Sequence, residues 1–345
     1  MVNRKIIRGA AALAVKKRSS RGAAALAAKT ENMDFLSTFI NVLIIVVLAV
    51  PGFFLRRAKL FPDKAASVLA TLLLYIAQPF LMMASLLGKQ FRPEMLPGFG
   101  WVILFAVGLQ LLVYFIARLA FSRDKDKAAA RAAVASSYLG NVGFMGIPVM
   151  QMLFPGNDEL VLYTVIYNIA FNAMAWTLGV YAVTCEKRHV SPLKILINPP
   201  TIAVIAALPF FFCNLPIPEQ VMTPIQYLGD MTLPLSMIIL GVRLADMPIR
   251  ALVCNVRVYA VSAIKLIVSP LAGLGVMLLL RLFLPIESSV IIALFIIGAM
   301  PTASSALNFA EMYGGDCETA AASTLMSTVL CIATIPVLML LCNYI

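Results

Sequence analysis

Apolar runs of bilayer length recur from residue 35 to the end of this chain, and nothing else in it constrains the fold as strongly. A helix needs about 20 predominantly apolar residues to cross a hydrocarbon core. Ten spans follow, over 35–55, 65–87, 98–121, 129–153, 159–184, 199–214, 220–243, 255–284, 288–312 and 317–343. The sixth is short. It opens on Asn198-Pro199-Pro200, a workable helix start because proline is accommodated in the first turn. Of the 345 residues, 61% are hydrophobic and 12% charged, whereas a soluble domain averages roughly 25% charged. The expected fold class is an all-α polytopic membrane protein.

The formal charge of +11 does not point to nucleic acid, because the cations sit in loops between apolar runs. Loops following odd-numbered spans hold Arg56, Arg57, Lys59, Lys64, then Arg118, Arg123, Lys125, Lys127, Arg131, then Lys187, Arg188, Lys194, and around the fourth Arg243, Arg250, Arg257, Lys265. The alternate loops hold Lys89, Arg92 and Arg281. Sixteen cations against three put the odd loops in the cytoplasm and both ends of a ten-span core outside, in an inner or plasma membrane. Lys265 reads as a topological lysine snorkelling to the cytoplasmic edge. Residues 1–32 carry eight cations and no acid before Glu31, which conflicts with an outside N-terminus. The expectation is that Met33 is the true start and that this extension is absent from the mature protein.

The six cysteines (Cys185, Cys213, Cys254, Cys317, Cys331, Cys342) are scattered, His189 stands alone, and no C-x-x-C occurs. No metal site and no cofactor are expected. A phosphate-binding G-x-x-x-x-G-K-[S/T] loop is also missing, so no ATPase is built in.

Inside span 4 stands Gly140-Asn141-Val142-Gly143-Phe144-Met145-Gly146-Ile147-Pro148, a poor helix interior. Glycine costs about 1 kcal/mol there relative to alanine and proline about 3. Backbone freed in this way at membrane depth must be buried in protein or line a wet cavity. Span 9 carries a comparable interruption, Met300-Pro301-Thr302-Ala303-Ser304-Ser305-Ala306-Leu307-Asn308. Pro79 in span 2 and Pro234 in span 7 repeat at an offset of 155. Aligning Pro301 with Gly140 gives 161 and with Pro148 gives 153, and the register stays open between them. Gly156-Asn157-Asp158 also matches Gly314-Gly315-Asp316, at 158. Paired Gly/Pro-interrupted spans in two halves mark the binding site of inverted-repeat transporters. The domain reading is an extension over 1–32, a first five-helix repeat over 33–184, a cytoplasmic linker over 185–198 and a second repeat over 199–345.

From Met33 onward the chain resembles the auxin efflux carrier family, whose plant members are the PIN proteins. The most specific piece is Asn141-Val-Gly-Phe-Met-Gly-Ile-Pro148, similar to the family's N-x-x-x-M-G-I-P. Pro79, Asn198-Pro199-Pro200, Pro234 with Gly241, and Pro301 support it. Gly140 stands where plant members carry proline, and the long plant loop is absent, so the chain looks more like bacterial members described as malate or malonate permeases. The resemblance implies ten transmembrane helices as two inverted five-helix repeats of the bile-acid-symporter or NhaA kind. Helices 4 and 9 would be broken and would cross at mid-membrane. It also implies a scaffold and a transport sub-domain moving in an elevator-like way.

Candidate substrate-binding residues are Asn141 and Asn308, then Thr302, Ser304, Ser305 and Gln78. An intramembrane Asn has donors and an acceptor to satisfy. The alternative for each is an interhelical bond or close packing that merely holds spans together. Gly140, Gly143, Gly146, Pro148, Pro301, Pro79 and Pro234 shape the broken helices. Asp230, and Asn168 with Asn172 at i, i+4 in span 5, are candidates for ion or proton coupling; the alternative for Asp230 is that the span starts later and leaves it wet. The expected function is secondary transport of small organic anions, malate-, malonate- or auxin-like, coupled to H+ or Na+. The alternatives are a sodium- or proton-coupled symporter of other cargo on the same fold, and a non-transporting membrane sensor. An enzyme is not expected. Expected partners are a small organic anion, the bilayer and a second copy of the chain, and no nucleic acid.

Overall fold

Among the described residues, seven helices are long and apolar enough to cross a membrane, and three shorter apolar ones lie between them. The computed structural model describes residues 35–190 and 192–345, so the expectation about residues 1–32 lies outside the described residues. In chain order the elements are α1 (Phe35–Arg57), α2 (Ala65–Leu87), α3 (Pro93–Ala120), α4 (Lys127–Tyr138), α5 (Val142–Leu153), α6 (Asp158–Thr184), α7 (Pro199–Phe212), α8 (Glu219–Asp246), α9 (Val256–Arg281), α10 (Ser288–Gly298), α11 (Ser304–Tyr313) and α12 (Cys317–Tyr344). No strand occurs among the described residues; a single isolated bridge joins Gly140 and Thr302. The apolar runs read as spans 4 and 9 are each divided, into α4 with α5 and α10 with α11.

Short polar side chains start these helices. Asp126 accepts from the Ala128 and Ala129 N–H groups, both at 3.1 Å, and caps α4. Asn198 accepts from Thr201 N–H at 3.0 Å, with Pro199 and Pro200 in the first turn of α7. The repeated tail is structural as well. Gly156 and Gly314 both take positive φ, 75° and 70°, and Asn157 and Asp316 then cap α6 and α12.

Three of the prolines within spans are absorbed by widened turns, whereas Pro209, Pro224 and Pro336 sit inside helices with no such turn before them. The π turns Leu73–Ala77, Val142–Gly146 and Ile264–Val268 each end two residues before a proline: Pro79, Pro148 and Pro270. A proline ring crowds the carbonyl four residues back, and a π turn moves that carbonyl aside. A fourth π turn, Ala175–Gly179, has no proline behind it.

Packing sorts the helices into two groups. α1, α2, α7 and α8 pack mainly on one another, and α3, α4, α6, α9, α10, α11 and α12 do likewise; α1 also lies against α12 and α2 against α6, and α5 packs on α6. Within the first group the backbones approach through glycine. A Cβ on Gly52 would strike the Ile238 carbonyl, one on Gly241 the Ala49 carbonyl, and one on Gly229 would lie 2.9 Å from Leu81 Cα. Association in lipid relies on such close van der Waals contact, because the hydrophobic effect does not distinguish lipid from protein. In the second group α10 is central, with every residue from Val290 to Gly298 buried. Large apolar side chains such as Leu104, Phe115, Leu119, Leu279 and Phe283 face outward, as a bilayer requires.

Candidate functional site

The two interruptions meet. Residues 139–141 and 301–303 are extended and run antiparallel: Asn141 N–H donates to Pro301 O at 2.8 Å, and Ala303 N–H to Leu139 O at 2.9 Å. Thr302 N–H donates to Ser327 Oγ at 3.0 Å and its hydroxyl to Ser136 O at 2.9 Å. Backbone that leaves a helix at membrane depth must be satisfied internally, and these links satisfy one another. Gly140 and Pro301 both lie in the links. Pro301 sits in its link, whereas Pro148 lies inside α5 behind a π turn. The ends of α4 and α10 and the starts of α5 and α11 therefore gather at one place. Starts carry partial positive charge and ends partial negative charge.

Polar side chains collect around this place. Asn141 is 6% exposed, and its side chain makes no hydrogen bond to another described residue. Gln78 of α2 and Asn168 of α6 converge on Gly143, two residues further along. A Cβ at Gly143 would meet Gln78 Nε2 and would lie 3.1 Å from Asn168 Oδ1, so only glycine fits between them. Asn168 is fully buried; its Nδ2 reaches Met82 Sδ at 3.4 Å, and its Oδ1 has no partner. Asn172 lies one turn along, half-buried. On α11, Asn308 is half-buried, with its Oδ1 3.5 Å from Arg243 Nη2, and Ser305 Oγ is shielded without a partner. Ser304 is half-buried beside it. Thr302 spends its hydroxyl on Ser136 and acts as a tie between α11 and α4.

Two cations overturn the sequence expectation. Lys265 does not snorkel to an edge; it is 3% exposed and donates to Gly298 O at 3.1 Å, where Ser269 Oγ also donates at 3.4 Å. Its Nζ lies 2.9 Å from where a Cβ on Gly140 would be. The ammonium thus fills the space beside the Gly140 link, at the carbonyl end of α10. The missed signal is depth. Lys265 lies ten residues into the span expected at 255–284, about 15 Å along a helix and too deep for its stem to escape. Arg243, counted as a loop cation, belongs to α8 and turns inward to Asn308.

Asp230 behaves differently from either expectation. The helix begins earlier, at Glu219, yet Asp230 is exposed at the break between Glu219–Asp230 and Thr232–Asp246. It does not join the residues around the links. Outside the spans, Arg257 donates to both Asp124 oxygens at 2.6 and 2.8 Å, and this holds the Asp124 carboxyl at about 2, well below the usual carboxylate value. The pair fastens the α3–α4 loop to the start of α9. Among the described residues no cluster of three or more His, Cys, Asp or Glu is placed to hold a metal ion.

An all-helical body of membrane-length helices, interrupted at two paired links and lined there by amides, is a polytopic membrane transport protein. The chain matches the family described as "Membrane transport protein" over residues 37–190 and 183–339. It belongs to that family, the auxin efflux carriers. It is 26% identical over 297 residues to an uncharacterized transporter of Methanocaldococcus jannaschii, covering 83% of this chain and 93% of the relative. It is 26% identical over 298 residues to a protein of Rhizobium meliloti named "Putative malonate transporter", covering 82% and 89%. A further transporter, from Methanothermobacter thermautotrophicus, is 26% identical over 310 residues, covering 88% and 98%.

Proposed function

We propose that this protein is a secondary carrier of small carboxylates, and that the paired links are its substrate site. The observation that carries the reading is the meeting of Leu139–Asn141 with Pro301–Ala303, ringed by Gln78, Asn141, Asn168 and Asn308 in an otherwise apolar body. In this reading the chain is two inverted five-helix repeats over 33–184 and 199–345, with α4–α5 and α10–α11 as the crossing helices. The α1, α2, α7, α8 group is the scaffold and the other helices carry the links past it, as an elevator. The cation-rich loops face the cytoplasm, and an H+ or Na+ gradient supplies the energy. A relative named for malonate supports the substrate class.

The test is a proteoliposome panel of labelled mono- and dicarboxylates, malonate first, with and without sodium and pH gradients. Asn141→Ala and Asn308→Ala run beside wild type. Uptake of a carboxylate by wild type, weakened at least roughly tenfold in either variant, is expected, since one hydrogen bond to a charged partner contributes about 1.5–3 kcal/mol. A wild-type protein that carries none of the panel refutes the substrate class. Two folded variants that carry it at wild-type rates refute the site.

A further inference from the structure

We propose that Arg243 is the anion anchor of the carrier, gripping the substrate carboxylate between its guanidinium and the Ser305–Asn308 face of α11; this rests on the carboxylate reading above. The guanidinium is an unfinished site. Nη1 is shielded from solvent and has no partner, and Nη2 has only the Asn308 oxygen at 3.5 Å, too long for a strong bond. A shielded cation without a partner is costly, because only a paired counter-charge offsets its desolvation.

Neighbouring acids do not complete it. Asp246, one turn along the same helix, pairs instead with Arg56 at 2.6 Å. Glu311, three residues beyond Asn308, is exposed and acts on Arg243 through space, without forming an ion pair. The side chains of α11 nearest the guanidinium are neutral donors. Asn308 can turn its amide N–H₂ toward an anion, and Ser305, at i, i+3 on the same face, has a shielded hydroxyl with no partner. The start of α11 at Ser304 adds its own partial positive charge. Arginine presents a planar fork that matches a carboxylate with two parallel bonds. A small carboxylate therefore supplies what the site lacks, one negative charge and two acceptor oxygens.

The placement also joins the two helix groups. Arg243 stands on α8, packed with α1 and α2, while Ser305 and Asn308 stand on α11, packed with α12 and α4. An anion held between them bridges the two groups and neutralises the charge that one must pass when the other moves.

The experiment uses the full chain in detergent, with thermal unfolding followed against added malonate and acetate, and the same proteins in liposomes for uptake. Malonate is expected to raise the wild-type midpoint. Arg243→Gln loses that response, and Arg243→Lys, which keeps the charge but not the fork, needs at least roughly tenfold more malonate. Asn308→Asp places a carboxylate beside the guanidinium; it is expected to melt above wild type without ligand and to ignore malonate. An Arg243→Gln response at the wild-type half-saturating concentration overturns the anchor. So does an Asn308→Asp protein no more stable than wild type, or a wild type indifferent to both anions. Malonate bound through Arg243 but never transported leaves the anchor standing and removes the carrier reading. Uptake with an unchanged KM in Arg243→Gln does the reverse.

Discussion

A close contact couples Gly140 to Lys265, and Gly140→Ala tests it. A Cβ at residue 140 would lie 2.9 Å from Lys265 Nζ and 3.1 Å from Cε, so the ammonium must move. Its bond to Gly298 O, 3.1 Å long, is then strained or lost, and the Lys265 side chain makes no other hydrogen bond. A hydrogen bond to a charged group contributes about 1.5–3 kcal/mol. Gly140 is not among the positive-φ residues, so alanine also brings back about 0.4–1 kcal/mol through the unfolded chain. The net expectation is a loss of about 2 kcal/mol. Lys265→Met keeps the length without a charge to strand, and Gly298 O keeps the Ser269 hydroxyl at 3.4 Å. Replacing a buried charge with an apolar side chain of similar volume is often neutral or better. In that background Gly140→Ala should cost less than about 0.5 kcal/mol, a coupling of about 1.5–2 kcal/mol. The four proteins are compared by reversible unfolding in mixed micelles. Additivity within about 0.5 kcal/mol would falsify the placement of Lys265 against the link.

Gly241→Ala should loosen α1 from α8, because its Cβ meets the Ala49 carbonyl and lies 2.8 Å from Phe53 N, both backbone. A loss of about 1–3 kcal/mol is expected in the same unfolding assay. Gly108→Ala and Gly275→Ala, whose added methyl meets nothing, serve as controls and should be neutral; equal losses in all three would sink the packing argument. Asp124 gives a pH dependence. Its carboxyl is lowered from 3.8 to about 2 when folded, so the stabilisation is full above pH 4 and disappears as pH falls toward 2. Asp124→Asn should cost roughly 1 kcal/mol at neutral pH and flatten that part of the profile; an unchanged slope between pH 4 and 2 counts against the pair.

Much of the helical body and the interrupted spans were legible in the sequence because lipid leaves few alternatives. An apolar run must satisfy its own backbone, and glycine or proline inside it announces where it does not. The register of the two interruptions was not legible, for a physical reason. Pro148 and Pro301 look alike in sequence but act differently. Pro148 sits within α5, its clash absorbed by the π turn Val142–Gly146, while Pro301 forms part of the extended link and accepts from Asn141. Only the hydrogen bonds across the links tell a tolerated proline from a breaking one. The convergence of Gln78 and Asn168 on Gly143 was equally hidden, because it joins three helices through a missing side chain.

The two cations that matter most at the site were lost for a different reason: a loop count assigns charge by neighbourhood in sequence. Lys265 and Arg243 were tallied with the cytoplasmic loops, yet both turn inward to the links, one to Gly298 O and one to Asn308. Removing them from the sixteen leaves fourteen against three, so the orientation expected from the loops does not depend on them. What changes is the chemistry of the site. Judged from amides and hydroxyls alone, the links hold only neutral groups and can coordinate almost any polar cargo. A lysine stands at the carbonyl end of α10 and an arginine beside Asn308 of α11, and the one carboxylate that acts on the arginine, Glu311, forms no ion pair with it. Under the proposed carrier reading, cations so placed favour an anion over a cation or a neutral solute. The charge balance of the links is therefore a stronger guide to cargo than the amides from which the substrate argument began.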